Sequence, residues 1–479
     1  METLSPWCFK VKVGNDCSGT SHVSHSKTWF YFSVTNVPAK QVVQFSVCNM
    51  GNQKLLYKWG MRPVFKSDCK TNAVASKKAS IQKPIKTLPK HLISKSHDGW
   101  RKTTGLIRFS PTSINEGVLH FEHRFADGNG VYFAFCYPYS YEDCLSKLSL
   151  IESRLNNNQH SIYVHREALT TTLEGRVVDL LTITNDNIPW RLEHEIFENT
   201  GLLKNDDCRH YPNKPIVFVS SRVHPGETPA SFMFDGFLDF ILDRENENSN
   251  LLRDYFVFKM VPMLNPDGVA MGNYRCDSRG VNLNRVYDQH NELLYPSIAA
   301  VTSLVHAYKD SLFLYLDMHA HATKRGLFLF GNWYEDLEQQ AEAMLFSKLI
   351  SLHSKWFSGQ GCDFSLKNSK TKDKKDPLMS KQGCGRVVMS SMTKVSKCFT
   401  LETNYHIGKD EYNINEYDPD VWREVGRDAA LSLLATQQVS PQLLASEYKS
   451  IDGLKLQLMT DINRDRMNAR LARKSTKKK

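Results

Sequence analysis

A histidine and a glutamate three positions apart are the first residues in this chain that could hold a metal ion. His224 and Glu227 lie in the tetrapeptide His-Pro-Gly-Glu, directly after an apolar segment that ends at Val223. A tight Pro-Gly turn at the carboxyl end of a buried strand can direct an imidazole and a carboxylate towards one point. This pair is part of the His2Glu ligand set of a catalytic zinc site. A lone His-x-x-Glu is also a chance pattern, so a third ligand is needed.

The third ligand must come from a distant segment, and His319 is the candidate. It lies just past an apolar strand, and strand ends in α/β sheets converge at one edge. The 92 residues from Glu227 to His319 leave ample room for intervening strands and crossover helices. His321 is an alternative ligand, although packing or support of the ligands is its favoured role. Asp317 is either such a supporting partner or a strand-end turn residue.

Three protein ligands leave one coordination position of a zinc ion for water. Zinc lowers the pKa of that water to about 7, and a nearby carboxylate can take its proton. We expect Glu402, at the end of the segment CFTLET, to be this general base and to return the proton to a leaving amine. The residues therefore predict a hydrolase with one Zn2+ per chain, held by His224, Glu227 and His319.

The elements that must position these residues are indicated by hydrophobic periodicity. Strands are predicted at 215–223, 255–264, 312–319, 326–332, 386–390 and 398–403, and helices at 228–244, 296–310, 335–354 and 420–436. In the first helix, Thr228 can cap and Pro229 suits the first turn. Strands separated by helices predict an α/β fold with a mixed sheet covered by helices on both faces.

The amino-terminal part of the chain has a different hydrophobic pattern. Short alternating or aromatic runs occur at 28–34, 41–50 and 131–138. They predict an antiparallel β-sandwich over residues 1–155, followed by a catalytic domain at 156–440. Residues 441–479 form a basic tail for which a frayed helix or disorder is expected.

The formal net charge of +10 is concentrated in two places. Residues 464–479 carry +7 and residues 66–102 carry +8, so the rest of the chain is close to −5. Such runs are usually solvated, mobile segments. The more specific interpretation is that these basic runs attract an acidic partner by long-range electrostatics. The Lys-rich segment 366–381 would contribute to the same attraction. Nucleic acid is not expected, because interleaved aromatic residues and a binding motif are missing.

Composition also bears on where the chain works. The first residues lack a secretory pattern, and no window approaches the roughly 18 apolar residues of a membrane helix. Eleven cysteines, without a Cys-x-x-Cys pair, are expected to be reduced thiols. We expect a cytoplasmic protein without a membrane partner, associated with microtubules if its substrate is tubulin, and a nuclear fraction remains open.

Five motifs together resemble the cytosolic carboxypeptidases, a branch of the zinc carboxypeptidase family. They are HPGE at 224–227, PMLNPDG at 262–268, YRCDSRGVNLNR at 274–285, DMHAHATKRG at 317–326 and FTLETNY at 399–405. FCYPYSYED at 135–143 also matches, so the resemblance covers nearly the whole chain. It implies the zinc carboxypeptidase fold, and it assigns His224, Glu227 and His319 to zinc and Glu402 to catalysis.

The resemblance implies three further site residues. Arg275 falls where the family stabilises the oxyanion, a task that suits a permanently charged guanidinium. Asn284 and Arg285 match the pair that binds the terminal carboxylate of the substrate, which an arginine can do with two parallel hydrogen bonds. Without the zinc motif, surface salt bridges would be the favoured interpretation of both arginines.

The resemblance also implies a substrate. Members of the branch remove glutamates, including those on tubulin side chains, and the type resembled most is associated with the branch-point glutamate. Glutamylated tubulin or another acidic protein tail is therefore the expected partner. Relatives place a basic residue shortly after the Gly-Arg-Val segment, whereas Val388 here is followed by five uncharged residues. Arg386 or Lys394 is expected to bind the side chain of the departing glutamate instead.

Two other functions compete with this one. A small-molecule amino-acid deacylase on the same fold would use the same zinc ligands, but the amino-terminal sandwich and the Asn284–Arg285 pair favour a protein substrate. A non-catalytic tubulin-binding module would be expected to have lost a ligand or the base, and none of these residues is missing.

Overall fold

Strands and helices alternate along most of the carboxyl-terminal two thirds of this chain, as its periodicity predicts. The computed structural model describes residues 2–68, 99–155, 162–193, 208–372, 379–408, 416–436 and 450–476. Most of the Lys-rich stretch at 66–102, part of the segment 366–381, the predicted domain boundaries and the last residues of the basic tail lie outside these ranges. The domain limits therefore stay predictions.

The amino-terminal region forms two packed sheets. Its strands are β1 (Glu2–Ser5), β2 (Cys8–Lys12), β3 (Tyr31–Val34), β4 (Val42–Gly51), β5 (Val64–Ser67), β6 (Arg101–Lys102), β7 (Ile107–Pro111), β8 (Glu116–Arg124) and β9 (Val131–Ala134). One sheet has the order β1-β2-β4-β8-β7 and the other β3-β9-β5-β6. All pairs are antiparallel except β2 with β4. The expected sandwich is present, with this one parallel pair inside it.

Aromatic side chains join the two sheets of the sandwich. Phe45 on β4 lies 5.6 Å from Phe32 and 5.0 Å from Phe133, measured between ring centroids. Phe121 on β8 lies 5.6 Å from Phe133. These rings alternate with polar residues that face outwards, so the strand period of two places them in one core.

The larger sheet has seven strands and is mixed. Its strands are β10 (Ile162–Thr171), β11 (Val177–Asn185), β14 (Ile216–Ser221), β15 (Val257–Val261), β16 (Leu312–His321), β17 (Leu327–Phe330) and β18 (Cys398–Asn404); β12 (Arg191–Leu192) and β13 (Arg209–His210) form a separate pair. The order is β10-β11-β15-β14-β16-β18-β17. The four central strands β15, β14, β16 and β18 are parallel, and the outer strands are antiparallel to their neighbours.

Helices cover both faces of this sheet. The described helices are α1 (Lys54–Lys58), α2 (Tyr141–Leu155), α3 (Thr228–Ile241), α4 (Glu247–Tyr255), α5 (Pro266–Ala270), α6 (Pro296–Ala307), α7 (Leu337–His353), α8 (Leu366–Lys370), α9 (Gly385–Thr393), α10 (Pro419–Ala435) and α11 (Ile451–Thr476). On β14, Val217 and Val219 join the core that contains α3 and α10, while Ile216 and Phe218 join the core that contains α6. The expected α/β fold is therefore confirmed.

Some predicted elements differ in detail. The segment 386–390, predicted as a strand, is part of helix α9, so that prediction was wrong. In α3 the N-cap position is Glu227 rather than Thr228, while Pro229 does lie in the first turn. Within the described part of the tail, residues 451–476 form helix α11, in which Ile451 and Leu454 pack against α7, so the first turn of this helix is not frayed.

Two broad expectations concern membranes and thiols. Within the described ranges, no helix is both long and apolar enough to span a membrane. The ten cysteines in the described part of the chain are free, which agrees with the expectation of reduced thiols.

Candidate active site

The turn that follows β14 carries the first two predicted ligands. Arg222 is buried, has a φ of 57° and donates from Nε and Nη2 to the carbonyl oxygen of Pro225, at 3.1 and 2.7 Å. Burial lowers the pKa of Arg222 to about 10. Because its guanidinium holds the turn from inside, His224 and Glu227 are fixed at the carboxyl end of the strand. Sequence reasoning missed Arg222, which has no local signal beyond its place beside the motif.

A close backbone approach also shapes this turn. Gly226 donates its N–H to the carbonyl oxygen of Tyr274 at 2.9 Å. A Cβ atom on Gly226 would lie 2.5 Å from Cδ2 of Tyr274 and 2.8 Å from that carbonyl oxygen. Only glycine fits there without displacing the neighbouring segment. From the other side, Asn265 donates from Nδ2 to the carbonyl oxygen of Val223 at 3.2 Å, so the Asn-Pro-Asp-Gly segment at 265–268 also supports this turn.

The three predicted ligands meet at one point. His224 Nδ1 lies 2.9 Å from Glu227 Oε1, and His319 Nδ1 lies 2.9 Å from Glu227 Oε2. The two Nδ1 atoms are 3.2 Å apart. All three side chains are buried, and their candidate ligand atoms lie within 4.8 Å of one another. His319 lies inside β16, two residues before its end, rather than at or just past the end of the predicted strand 312–319.

The outward nitrogens of both imidazoles have partners. His319 Nε2 lies 2.7 Å from Asp317 Oδ2, and Asp317 Oδ1 accepts a hydrogen bond from Ser220 Oγ at 2.9 Å. His224 Nε2 lies 3.0 Å from Asn282 Oδ1. Partners of this kind fix the tautomer that leaves Nδ1 free to bind a metal. Of the two roles left open for Asp317, the geometry supports the ligand-supporting one.

The electrostatics of the cluster fit a zinc ion. Burial opposes charge on His319, but Asp317 and Glu227 outweigh burial and raise its pKa well above the usual value. Burial, together with the charge of Arg275, lowers the pKa of His224 to about 4, so its imidazole is neutral at pH 7. The carboxylates of Asp317 and Glu227 thus favour a positive charge in this pocket. The pocket also offers a His2Glu donor set, and both features suit Zn2+.

His321 does not join this cluster as a ligand. Its Nδ1 accepts hydrogen bonds from the backbone N–H groups of Thr323 and Lys324, at 3.2 and 3.1 Å. Its ring also packs against Phe328 and Phe330, with centroids 5.4 and 5.9 Å away. The favoured packing role is therefore what the structure shows.

Glu402 stands beside the ligands. In the register of β16 and β18 it pairs with His319, so both side chains point to the same face of the sheet. Among the described residues, Glu402 Oε2 is buried and has no hydrogen-bond partner. Burial raises the pKa of Glu402 to about 7; the charge of Glu227 adds to this, and that of His319 opposes it. A carboxyl group with such a pKa can take up and release a proton near neutral pH.

The residues expected to bind the reacting group surround this cluster. Arg275 Nη1 lies 3.9 Å from Glu227 Oε1. Asn284 Nδ2 lies 3.3 Å from His319 Nε2, and Asn284 Oδ1 accepts from the N–H of Gly385 at 3.0 Å. Arg285 is buried next to it and donates from Nη1 to the carbonyl oxygen of Asn284 at 2.6 Å. All three predicted residues are therefore brought to the site.

The two candidates for binding a glutamate side chain lie at opposite ends of helix α9. Arg386 lies in its first turn and is buried, and its Nη2 has no hydrogen-bond partner among the described residues. Lys394 follows the carboxyl end of α9, is exposed, and donates from Nζ to the carbonyl oxygen of Ser391 at 2.8 Å. The N–H of Gly385 donates to Asn284 Oδ1, so the structure brings Arg386 near the site, and it leaves Lys394 outside, at the other end of the helix found in place of the predicted strand.

Lys381 is a site neighbour that sequence reasoning named only within a Lys-rich stretch. Its Nζ donates to Asn368 Oδ1 at 2.6 Å and lies 5.0 Å from the ring centroid of Phe330. Burial lowers the pKa of Lys381, and the charges of Arg386 and Arg285 lower it further. Three cations, Arg285, Lys381 and Arg386, therefore lie close to one another. No sequence motif indicates this grouping, because two separate segments of the chain supply its members.

A second group of candidate ligands lies elsewhere. His165, Glu167 and Cys208 also place ligand atoms within 4.8 Å of one another. Lys259 Nζ lies 3.7 Å from Cys208 Sγ, so an ammonium group already supplies positive charge there. This group is therefore a weaker metal site than the cluster at His224.

Comparison with known proteins agrees with this geometry. The sequence profile described as zinc carboxypeptidase matches residues 154–323, which include the three candidate ligands but not Glu402. The chain is 32% identical to cytosolic carboxypeptidase-like protein 5 of Mus musculus, over 96% of this chain and 62% of that protein. It is 31% identical to cytosolic carboxypeptidase 6 of Homo sapiens, over 87% of this chain and 72% of that protein. The chain thus spans less than two thirds of the mouse relative.

Solved structures show the same fold. A metallo-carboxypeptidase from Burkholderia cenocepacia superposes with a TM-score of 0.64 at 18% identity, over 90% of this chain and 94% of that one. A metallo-carboxypeptidase from Pseudomonas aeruginosa gives a TM-score of 0.63 at 18% identity, with the same coverage. Both matches include the amino-terminal sandwich as well as the seven-stranded sheet, since they cover 90% of the chain.

Proposed function

This chain belongs to the cytosolic carboxypeptidases, a branch of the zinc carboxypeptidase family, and we propose that it is a metallocarboxypeptidase that removes glutamates from acidic protein tails such as glutamylated tubulin. The observation that carries the proposal is the meeting of His224, Glu227 and His319 with Glu402 beside them. Branch-point glutamates are included in the proposed substrates. The proposed place of action is the cytoplasm, with microtubule association if tubulin is the substrate.

The metal would be held by His224 Nδ1, His319 Nδ1 and the carboxylate of Glu227. A bound zinc ion supplies a Lewis acid and makes hydroxide available at neutral pH. Asp317 and Asn282 keep the two imidazoles oriented through their outward nitrogens. We propose one zinc ion per chain.

Glu402 would act as general base and then as general acid. Its pKa of about 7 allows the carboxylate to accept a proton from water and to donate it to the leaving amine. The buried Oε2 without a hydrogen-bond partner is free for that exchange in the described structure. Burial excludes competing solvent, which strengthens its interaction with the reacting groups.

Arg275, Asn284 and Arg285 would orient the substrate. Arg275 faces the ligand cluster, where its guanidinium can stabilise negative charge that develops on the carbonyl oxygen. Asn284 and Arg285 lie together next to His319 and suit a terminal carboxylate. Since that carboxylate exists only at a chain end or branch end, cleavage is confined to terminal residues.

The preference for glutamate is supported by charge. Arg285 alone can bind one terminal carboxylate. Two further cations lie close by, the buried Arg386 and the half-buried Lys381. An acidic side chain would compensate the repulsion among them, whereas an apolar side chain would not. This excess positive charge is the feature that favours an acidic terminal residue.

Mass spectrometry of tubulin-tail peptides tests the proposal directly. Purified protein is incubated with zinc and with peptides that carry either a linear glutamate chain or a glutamate branch. We expect stepwise loss of glutamate residues with the wild-type protein and none with Glu402→Gln. Glu167→Gln is the matched control, because Glu167 is also a buried glutamate of this sheet whose pKa burial raises to about 7, yet it lies outside the site.

Three outcomes would contradict the proposal. Intact peptides after incubation with zinc-loaded wild-type protein would rule out this activity. Undiminished function of Glu402→Gln in cells would favour binding over catalysis. Cleavage of acylated amino acids instead of peptides would favour the deacylase.

A further inference from the structure

Building on the proposed function, we infer that Asp16, in the amino-terminal sandwich region, is a positioning residue for Arg275. Asp16 is 4% exposed, and its carboxylate accepts hydrogen bonds from three consecutive backbone N–H groups. Oδ1 accepts from Tyr274 at 2.7 Å, and Oδ2 accepts from Arg275 at 2.7 Å and from Cys276 at 3.0 Å. The two partners are separated by about 260 residues in sequence.

These three bonds fix a segment that has no regular structure of its own. Residues 274–276 belong to neither a helix nor a strand, so their N–H groups are not held by a ladder or a helical turn. Successive N–H groups that converge on one anion form a nest, and bonds to a charged acceptor are stronger than neutral ones. The backbone position of Arg275 therefore depends on a carboxylate from another part of the chain.

Asp16 is itself held firmly in place. Its N–H donates to the carbonyl oxygen of Ser26 at 2.7 Å, and its own carbonyl oxygen accepts from the N–H of Ser24 at 3.0 Å. The next residue, Cys17, donates its N–H to Asn273 Oδ1 at 3.2 Å. The loop that carries Asp16 is thus hydrogen-bonded both internally and to the Arg275 segment. These bonds make the loop a rigid support for that segment.

The supported segment also touches the ligand turn. The carbonyl oxygen of Tyr274 accepts the N–H of Gly226 at 2.9 Å, directly before Glu227. Arg275 Nη1 lies 3.9 Å from Glu227 Oε1. Phe135 of the amino-terminal region packs edge-on against Tyr274 with centroids 6.3 Å apart. A shift of this segment would therefore move the guanidinium relative to the ligand cluster.

The expected kinetic signature follows from when the Arg275 contact forms. A guanidinium that stabilises an oxyanion acts mainly in the transition state, so its misplacement lowers kcat more than it raises KM. A displacement of about 1 Å in such a site can cost on the order of 100-fold in rate. A purely structural link between the two regions would instead reduce stability and metal content, with no dependence on Arg275.

The experiment compares Asp16→Asn and Asp16→Glu with Asp127→Asn in the full chain. Asp127 is a matched control, because its Oδ1 also accepts a backbone N–H, from Asn129 at 3.1 Å, in an exposed turn of the same region. We measure kcat and KM on a peptide with a carboxyl-terminal glutamate, together with zinc content. Asp16→Asn should lower kcat by about 10- to 100-fold with little change in KM or zinc, and Asp127→Asn should match the wild type.

The decisive comparison repeats Asp16→Asn in an Arg275→Ala background. We expect no further fall in kcat there, because the positioned group is already gone. An equal fold loss in both backgrounds, or a wild-type kcat for Asp16→Asn, would overturn the role. If Asp16→Asn does not fold, Asp16→Glu is judged by the same two criteria. A wild-type protein without any glutamate release would refute the proposed function first, and this role with it.

Discussion

Glu402 and His319 lie directly opposite each other on the neighbouring parallel strands β18 and β16. Residues paired in this way point to the same face of a sheet, so one pairing brings the proposed base to the metal-binding cluster. The pairing is set by the strand register and is therefore as rigid as the sheet core. The distance between base and ligand then does not depend on a flexible loop.

The activity should depend on pH through Glu402. Burial raises the pKa of Glu402 to about 7, and the charge of Lys381 is among those that lower it. The base works when deprotonated, so activity falls as the pH drops through this pKa. Lys381→Met removes a cation, raises the pKa and should move the acid limb of kcat/KM to higher pH.

The measurement is a profile of kcat/KM against pH with zinc held in excess. Lys367→Met is the control, because Lys367 is an exposed lysine of α8, outside the site. It should leave the acid limb in place. An acid limb of Lys381→Met that stays in place or moves to lower pH would contradict the proposed influence of Lys381 on the base.

The site could be predicted from sequence where a motif and a strand end coincide. His224, Glu227, His319 and Glu402 each follow or end an apolar run, and the convergence of parallel strands brings such ends together. The fold class followed from the same alternation of strands and helices.

The segment around Arg386 shows why other features were missed. Two adjacent valines at 387–388 favour a strand locally, but Met389 and its neighbours pack on α6 as a helix. A short apolar run does not distinguish the two, and tertiary packing decides. The contact of Asp16 with Arg275 has no sequence signal at all, because it joins distant segments through backbone groups.

Metal affinity should depend on Asp317 but not on His321. Asp317 Oδ2 lies 2.7 Å from His319 Nε2, so Asp317→Asn removes the charge that orients this ligand. We expect zinc affinity to fall by about 10- to 100-fold, as measured by competition with a chelator. His321→Ala should retain the wild-type affinity. Loss of zinc in His321→Ala with retention in Asp317→Asn would reassign the third ligand.

Selectivity for glutamate should depend on Arg386 rather than Lys394. Arg386 is buried near the site with an unpartnered Nη2 in the described structure, whereas Lys394 is exposed beyond the far end of α9. Arg386→Met should reduce the preference for Glu over Leu by about 10- to 100-fold, since a charged hydrogen bond contributes roughly 1.5–3 kcal/mol. Lys394→Met should keep it. The assay is competition among peptides ending in Glu, Asp, Leu or Lys, and unchanged selectivity in Arg386→Met would reject this assignment.

The turn that carries two metal ligands should not tolerate a side chain at Gly226. A Cβ atom there would lie 2.5 Å from Cδ2 of Tyr274 and 2.8 Å from its carbonyl oxygen, and the latter is backbone that cannot rotate away. Gly226→Ala should therefore push the turn and the Tyr274 segment apart, at a cost of about 1–3 kcal/mol in the free energy of unfolding.

The same displacement separates Glu227 from the two histidines, so zinc affinity should fall together with stability. Gly128→Ala is the matched control, because a Cβ atom on Gly128 meets nothing within 4 Å. Denaturant unfolding of the zinc-free proteins, followed by zinc titration, separates the two effects. If Gly226→Ala lost stability but bound zinc like the wild type, the turn could absorb the side chain without moving Glu227, and the tight approach to Tyr274 would serve the fold alone.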